Sequence, residues 1–128
     1  MAESALVSED IEAARRLVAF LDSNGFAVKA ALWLYRSEDD RWRFVISFRE
    51  KRENVISFYR DIAKLMNRSG SEFDLLDLAR VDFVDGDGAV VGPLSQVLQI
   101  DDDAGRRFQN NRINGVFLED ALIFRLSA

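Results

Sequence analysis

The residue pattern predicts a single α+β domain over 1–128, with a mostly antiparallel sheet of about five strands and helices packed on one face. Three observations lead there. Apolar residues recur at helical spacing in two stretches, Ile11–Leu21 and Val55–Met66. Two apolar, strand-like runs, Phe26–Arg36 and Arg41–Arg49, flank a polar turn. Asn114-Gly115 joins two more such runs near the C-terminal end. The expected order is α-β-β-α-β-α-β-β.

The first helix is expected to start at Ser8 as its cap. Glu9 and Asp10 would sit in its first turn, where the helix dipole favours negative charge. Ile11, Ala14, Leu17, Val18 and Leu21 form its apolar stripe, and Asn24-Gly25 stops it in a left-handed conformation. In Phe26–Arg36, Val28, Ala30, Leu32 and Leu34 are expected on one face, with Lys29, Ala31, Trp33 and Tyr35 on the other. Ser37–Asp40 is the turn. In Arg41–Arg49, Trp42, Phe44, Ile46 and Phe48 alternate with Arg41, Arg43, Val45, Ser47 and Arg49, as in a half-buried strand.

Glu50–Asn54 is a charged connection to a second amphipathic helix through Val55, Phe58, Ile62, Leu65 and Met66, ended by Asn67–Gly70. Asp74–Leu78 is a turn or a single helical turn. Ala79–Val84 reads as a strand with Ala79, Val81 and Phe83 inward, and Asp85–Gly88 as a loop. Pro93 is expected in the first turn of a short helix through Leu94, Val97 and Leu98. Asp101–Gly105 would then separate that helix from a closing hairpin, Arg106–Leu126, about Asn114-Gly115. Asn-Gly suits the type I′ turn, which needs positive φ at both central positions.

The chain of 128 residues is 48% apolar and 30% charged, ordinary for a globular protein. No apolar run approaches the length of a membrane span, and no basic start followed by an apolar stretch marks a signal peptide, so a cytoplasmic location is expected. With no Cys there is no disulfide or thiolate chemistry, and with no His the commonest general base and metal ligand is missing. No cofactor is expected. The net charge of −5 is uneven: −2 over 1–35, +3 over 36–68 and −6 over 69–128. An acidic whole makes nucleic acid an unfavoured partner, since phosphate neutralisation supplies most of that affinity. The segregated charge suits contact between an acidic and a basic face.

Four clusters are candidates for function. Asp82, Asp85 and Asp87 end a strand beside glycines and offer oxygen ligands for a hard cation, but their spacing is not that of an EF-hand, and an acidic surface turn is the favoured reading. Asp101-Asp102-Asp103 reads as a solvated loop, with partner contact second. Glu119 and Asp120 interrupt an apolar strand. Arg106, Arg107, Arg112 and Arg125 are close enough in sequence to pair with them across the hairpin, and such ion pairing is the favoured reading. With Arg112 or Arg125 they could instead form a carboxylate–arginine site, for which a metal-dependent nuclease or phosphoesterase is the enzyme class suggested. Trp33 and Tyr35 would face outward if helices cover one side of the sheet. With Arg36, Arg41 and Arg43 they would make a protein contact surface, or a base-stacking platform for RNA or single strands.

The closing stretch, Asn111-Arg112-Ile113-Asn114-Gly115-Val116-Phe117-Leu118-Glu119-Asp120-Ala121-Leu122-Ile123-Phe124-Arg125, resembles the C-terminus of a group of small uncharacterised bacterial proteins that end in a similar Asn-Gly hairpin. The resemblance implies no activity. The leading expectation is therefore a non-enzymatic interaction module that self-associates, as a dimer, or binds a protein partner through an open sheet face. It separates from the phosphoesterase reading in a thermal melt: the midpoint should be unchanged by EDTA, and a large loss in EDTA would favour the metal-dependent enzyme.

Overall fold

The computed structural model describes residues 6–49, 56–69, 78–84 and 88–127. The expectations for Glu50–Val55, Gly70, Asp74–Asp77 and Asp85–Asp87 lie outside them. Helix α1, Ser8–Ser23, buries Ala14, Leu17, Val18 and Leu21. Ser8 is not its cap. Val7 holds that position, its carbonyl accepting from the N–H groups of Asp10 and Ile11, and no side chain caps the end. The first-turn acids remain to complement the dipole. At the other end the Phe26 N–H reaches the Leu21 carbonyl at 3.0 Å around Gly25, whose φ is +86°.

Strands β1 (Val28–Arg36) and β2 (Arg41–Phe48) form the expected hairpin, closing with Arg36 opposite Arg41. Helix α2, Ile56–Ser69, buries Phe58 and Ile62. A 3₁₀ turn, Leu78–Arg80, follows and makes the element order differ from the expected one. It takes in Ala79, which is exposed rather than inward. Strand β3 is Val81–Val84, helix α3 Gly88–Ser95, strand β4 Ile100–Ile113 and strand β5 Val116–Leu126. The sheet order is β3-β2-β1-β5-β4. β2 and β3 run parallel and the other neighbours antiparallel, so the five-stranded sheet is mixed.

Helices do not lie on one face alone. α1 and α2 pack with Phe26, Val28, Ala31, Trp33, Phe44, Ile46, Phe48, Val81, Phe83, Leu122 and Phe124 on one side of the sheet. On the other side α3 packs through Val91 and Leu94 against Ala30, Leu32, Leu34, Val45, Leu118, Ala121, Ile123 and Leu126. Val28 falls on the Trp33 side because the β1–β2 register shifts between Val28 and Ala30. The second layer was obscured by α3 itself. It starts at Gly88 and carries Pro93 near its end, so Pro93 is not in its first turn. Its sequence, GAVVGPLS, is too uniformly apolar to show a helical period.

The Asp101–Gly105 segment is also not a loop between elements. It lies inside β4 as a large bulge: Asp101 faces Arg125 and Arg106 faces Ile123, so the extra residues loop out on β4. Asp102 Oδ1 accepts from the Ala104 N–H at 2.9 Å, and Gly105 turns the chain back with φ +84°. A Cβ on Gly105 would lie 2.7 Å from Leu122 Cδ1 and 3.1 Å from Phe124 Cε1. Gly115, at φ +82° in the expected Asn114-Gly115 turn, has no heavy atom within 4 Å of such a Cβ. Gly115→Ala is thus expected to cost about 1 kcal/mol, from backbone strain alone. Gly105→Ala should cost about 2–4 kcal/mol, since overpacking adds to strain. Equal losses in urea denaturation would show that the bulge does not press on Leu122.

Candidate functional site

The residues nominated for partner contact divide between the two faces. Trp33 is fully buried beneath the α1–α2 layer rather than facing out, with the Arg80 guanidinium 5.1 Å from its ring centroid. Arg80 in turn makes a bidentate pair with Asp10 of α1 at 2.7 and 3.2 Å. Tyr35 is half-buried on the same face, 5.5 Å from Trp42 between ring centroids, and its hydroxyl donates to Asp40 Oδ1 at 2.7 Å. An exposed aromatic platform is therefore absent at Trp33.

Arg36, Arg41 and Arg43 lie on the opposite face. The hairpin register sets Leu34 across from Arg43 and Arg36 across from Arg41. With Leu34, Asp39, Val45 and Asp82 they line an open groove of about 430 Å³. It continues along the start of α3 past Val84, Gly88 and Val90, and on toward Val116 and Phe117 of the closing hairpin. Phe117 is 48% exposed there. Leu34 and Val45 share this face with the three arginines because alternate positions of a strand share a face, and Asp39 and Asp82 lie among those arginines.

The three arginines are not equivalent. Arg43 bonds both oxygens of Asp82 and the Ala79 carbonyl, and the Asp82 bond holds its pKa above the usual value against the cost of burial. The side chains of Arg36 and Arg41 make no hydrogen bond or ion pair with any described residue, and both residues are exposed. Arg36 acts on Glu119 through Coulomb attraction alone.

The expected carboxylate–arginine set does not come together. Arg125 sits at the far end of the sheet, paired with Asp22 of α1 at 3.0 and 3.1 Å. Arg112 lies over the Phe117 ring at 5.5 Å. Asp120 instead takes Arg107 in a two-pronged pair at 2.5 and 2.7 Å, with Gln109 adding a bond at 3.2 Å. Arg107 also covers Trp42 at 5.5 Å. Glu119 accepts from the Ser37 N–H at 2.8 Å and the Ser37 hydroxyl at 2.5 Å, tying β5 to the β1–β2 turn. Leu118 and Ala121, three residues apart, both face α3, so the alternation slips between them, opposite the left-handed Asn110 with φ +51°. That slip lets both acids find partners. Arg107 is one of the four arginines expected within reach of these acids across the hairpin, and it is the one that pairs. Nothing in the spacing singled out Ser37.

Among the described residues no group of three His, Cys, Asp or Glu side chains is placed to hold a metal ion. Asp82 is occupied by Arg43. No helix among those residues is long and apolar enough to cross a membrane. No family model, curated protein or solved structure matches the chain.

Burial raises the Asp120 pKa, but the bonds from Arg107 and Gln109 and the Arg107 charge lower it by more, leaving it below the usual value. A carboxylate depressed in the folded state stabilises above its unfolded pKa, and the contribution is lost as pH falls through the folded value. Asp120→Asn should therefore flatten the loss of stability below about pH 4. Asp120→Ala is expected to cost about 1–3 kcal/mol at neutral pH, as its side chain is only 18% exposed and Arg107 loses its partner. Glu119→Ala should cost less. Equal losses in chemical denaturation would contradict this ordering.

Proposed function

We propose that this chain is a protein-interaction module whose contact surface is the groove bounded by Leu34, Val45, Arg36, Arg41 and Arg43. The observation that carries the reading is the Arg36–Arg41 pair. Two guanidiniums stand directly opposite each other at the end of a hairpin, with no described carboxylate bonded to either. Like charges placed directly across a sheet destabilise it, so the arrangement is costly to the fold alone. An anionic group from a partner would relieve it, and Phe117, 48% exposed at the far end of the groove, supplies apolar area for the contact. The volume is also within the range of small-molecule sites, but the groove continues from β1 and β2 past the start of α3, a length that suits a chain segment.

The phosphoesterase reading loses support because Glu119, Asp120 and Asp82 are each engaged by neighbours within the fold. Arg41→Glu tests the contact surface. It should leave stability unchanged or raise it by about 0.2–1 kcal/mol, because Arg36 and Arg43 gain an acid neighbour. Self-association and capture of any native partner should fall together. If both persist at wild-type strength in a correctly folded Arg41→Glu protein, the groove is not the contact surface.

A further inference from the structure

The basic groove has a chemical complement at the opposite end of the same sheet. Asp101 faces Arg125, and Leu126 faces both Ile100 and Ala30, so the acidic bulge lies level with the start of β1. Arg36 is at the other end of β1, roughly 20 Å away at about 3.3 Å per residue. Asp102 turns inward to bond the Ala104 N–H. Asp101 and Asp103 are exposed, and their carboxylates make no hydrogen bond or ion pair with a described residue, though both residues line a pocket with Arg15, Asp22 and Arg125. Arg125, already held by Asp22, feels both at Coulombic range.

The sheet edges offer less. On β3 the Tyr59 hydroxyl accepts from the Phe83 N–H at 3.3 Å and donates to the Val81 carbonyl at 2.7 Å, occupying backbone groups that an added strand would need. β4 is broken by the bulge and by Asn110, devices that hinder edge pairing. What remains complementary is end to end: at one end two guanidiniums, with Asp39 beside them, and at the other two carboxylates, none of the four side chains bonded to a described residue.

We infer that the groove takes the Asp101–Asp103 bulge of a second copy of this chain, head to tail, with the Asp101 and Asp103 carboxylates accepting from Arg36 and Arg41. This rests on the groove being a contact surface. The two patches are different, so the contact is heterologous. It does not stop at two chains and yields rings or open strings. Exposed charge pairs are screened by salt, so the assembly is salt-sensitive.

Sedimentation velocity over a concentration series tests this. At about 50 mM salt, where screening is weak, the weight-average mass should rise past two chains, and at about 0.5 M it should return to one. Arg36→Glu with Arg41→Glu, and separately Asp101→Lys with Asp103→Lys, should each weaken association about tenfold or more. An equimolar mixture of the two variants should restore it, because each reversed end meets a reversed complement. Thermal melts of both variants confirm that they fold. If the groove variant dissociates and the bulge variant does not, the bulge is the wrong occupant and the groove stands as a contact surface. If both variants associate as the wild type does, groove and bulge both fall. A dimer that does not grow with concentration, or a monomer at every concentration, overturns head-to-tail assembly and leaves the groove to be judged by partner capture.

Discussion

The central strand β1 has no free face between Ala30 and Leu34, and most of the architecture follows from that. Ala30, Ala31, Leu32 and Trp33 are fully buried and Leu34 nearly so. A strand apolar on both sides must be covered on both sides, and it needs neighbours along both edges. β2 and β5 supply the edges. α1 and α2 supply one cover and α3, with the hairpin behind it, the other. α3 is two turns long and lies over β1 and β5, so the β1–β2 end of its face is left open. The groove is the part of that face the short helix does not reach. Its floor residues, Leu34 and Val45, are buried, and Arg43 and Asp82 line the groove beside them.

The closing hairpin has to fit this two-sided sheet, and its irregularities show how. β5 pairs with β1 on one side and β4 on the other, with a register shift on each. Gly105 is the residue on which the larger shift depends, since its missing Cβ makes room for Leu122 and Phe124. At the tip, the Asn114 side chain donates to the Pro93 carbonyl at 2.7 Å and to Gln96 Oε1 at 3.0 Å. One residue thus adopts the left-handed turn and pins the hairpin to the end of α3. The same distortions that accommodate the packing spoil β4 as a template for strand addition, while Tyr59 does so for β3.

The sequence was legible where one periodicity dominated. At the start of β2 one face is at least partly exposed, so Trp42, Phe44, Ile46 and Phe48 stood out against Arg41 and Arg43, although Val45 and Ser47 on the other face are buried as well. α1 and the Asn114-Gly115 turn were legible for similar reasons. β1 was harder. A run buried on both faces does not say how many layers cover it, and α3 gave no period to announce a second layer. Hence Trp33 was placed outside. The acid run at Asp101 looked like a loop because bulge residues share the composition of turns. A hairpin closing at Arg36 and Arg41 sets Leu34 beside Arg43, and alternation then puts all three arginines on the face away from Trp33 and Tyr35. Sequence proximity had grouped residues that the pleat separates.

Charge placement follows a division of labour. Arg80–Asp10 joins the 3₁₀ turn to α1, Arg43–Asp82 joins β2 to β3, Arg107–Asp120 joins β4 to β5, and Arg125–Asp22 joins β5 to α1. Each is partly exposed, and such pairs contribute about 0–1 kcal/mol, so they fix relative placement more than they stabilise. Arg36, Arg41, Asp101 and Asp103 join nothing within the described fold, and they sit at the two ends of the sheet. Replacing them costs the folded chain little, and at Arg36–Arg41 it removes a repulsion. Residues that the fold does not need, placed as two opposite charge patches about a sheet length apart, fit a surface set by what the chain meets rather than by how it folds.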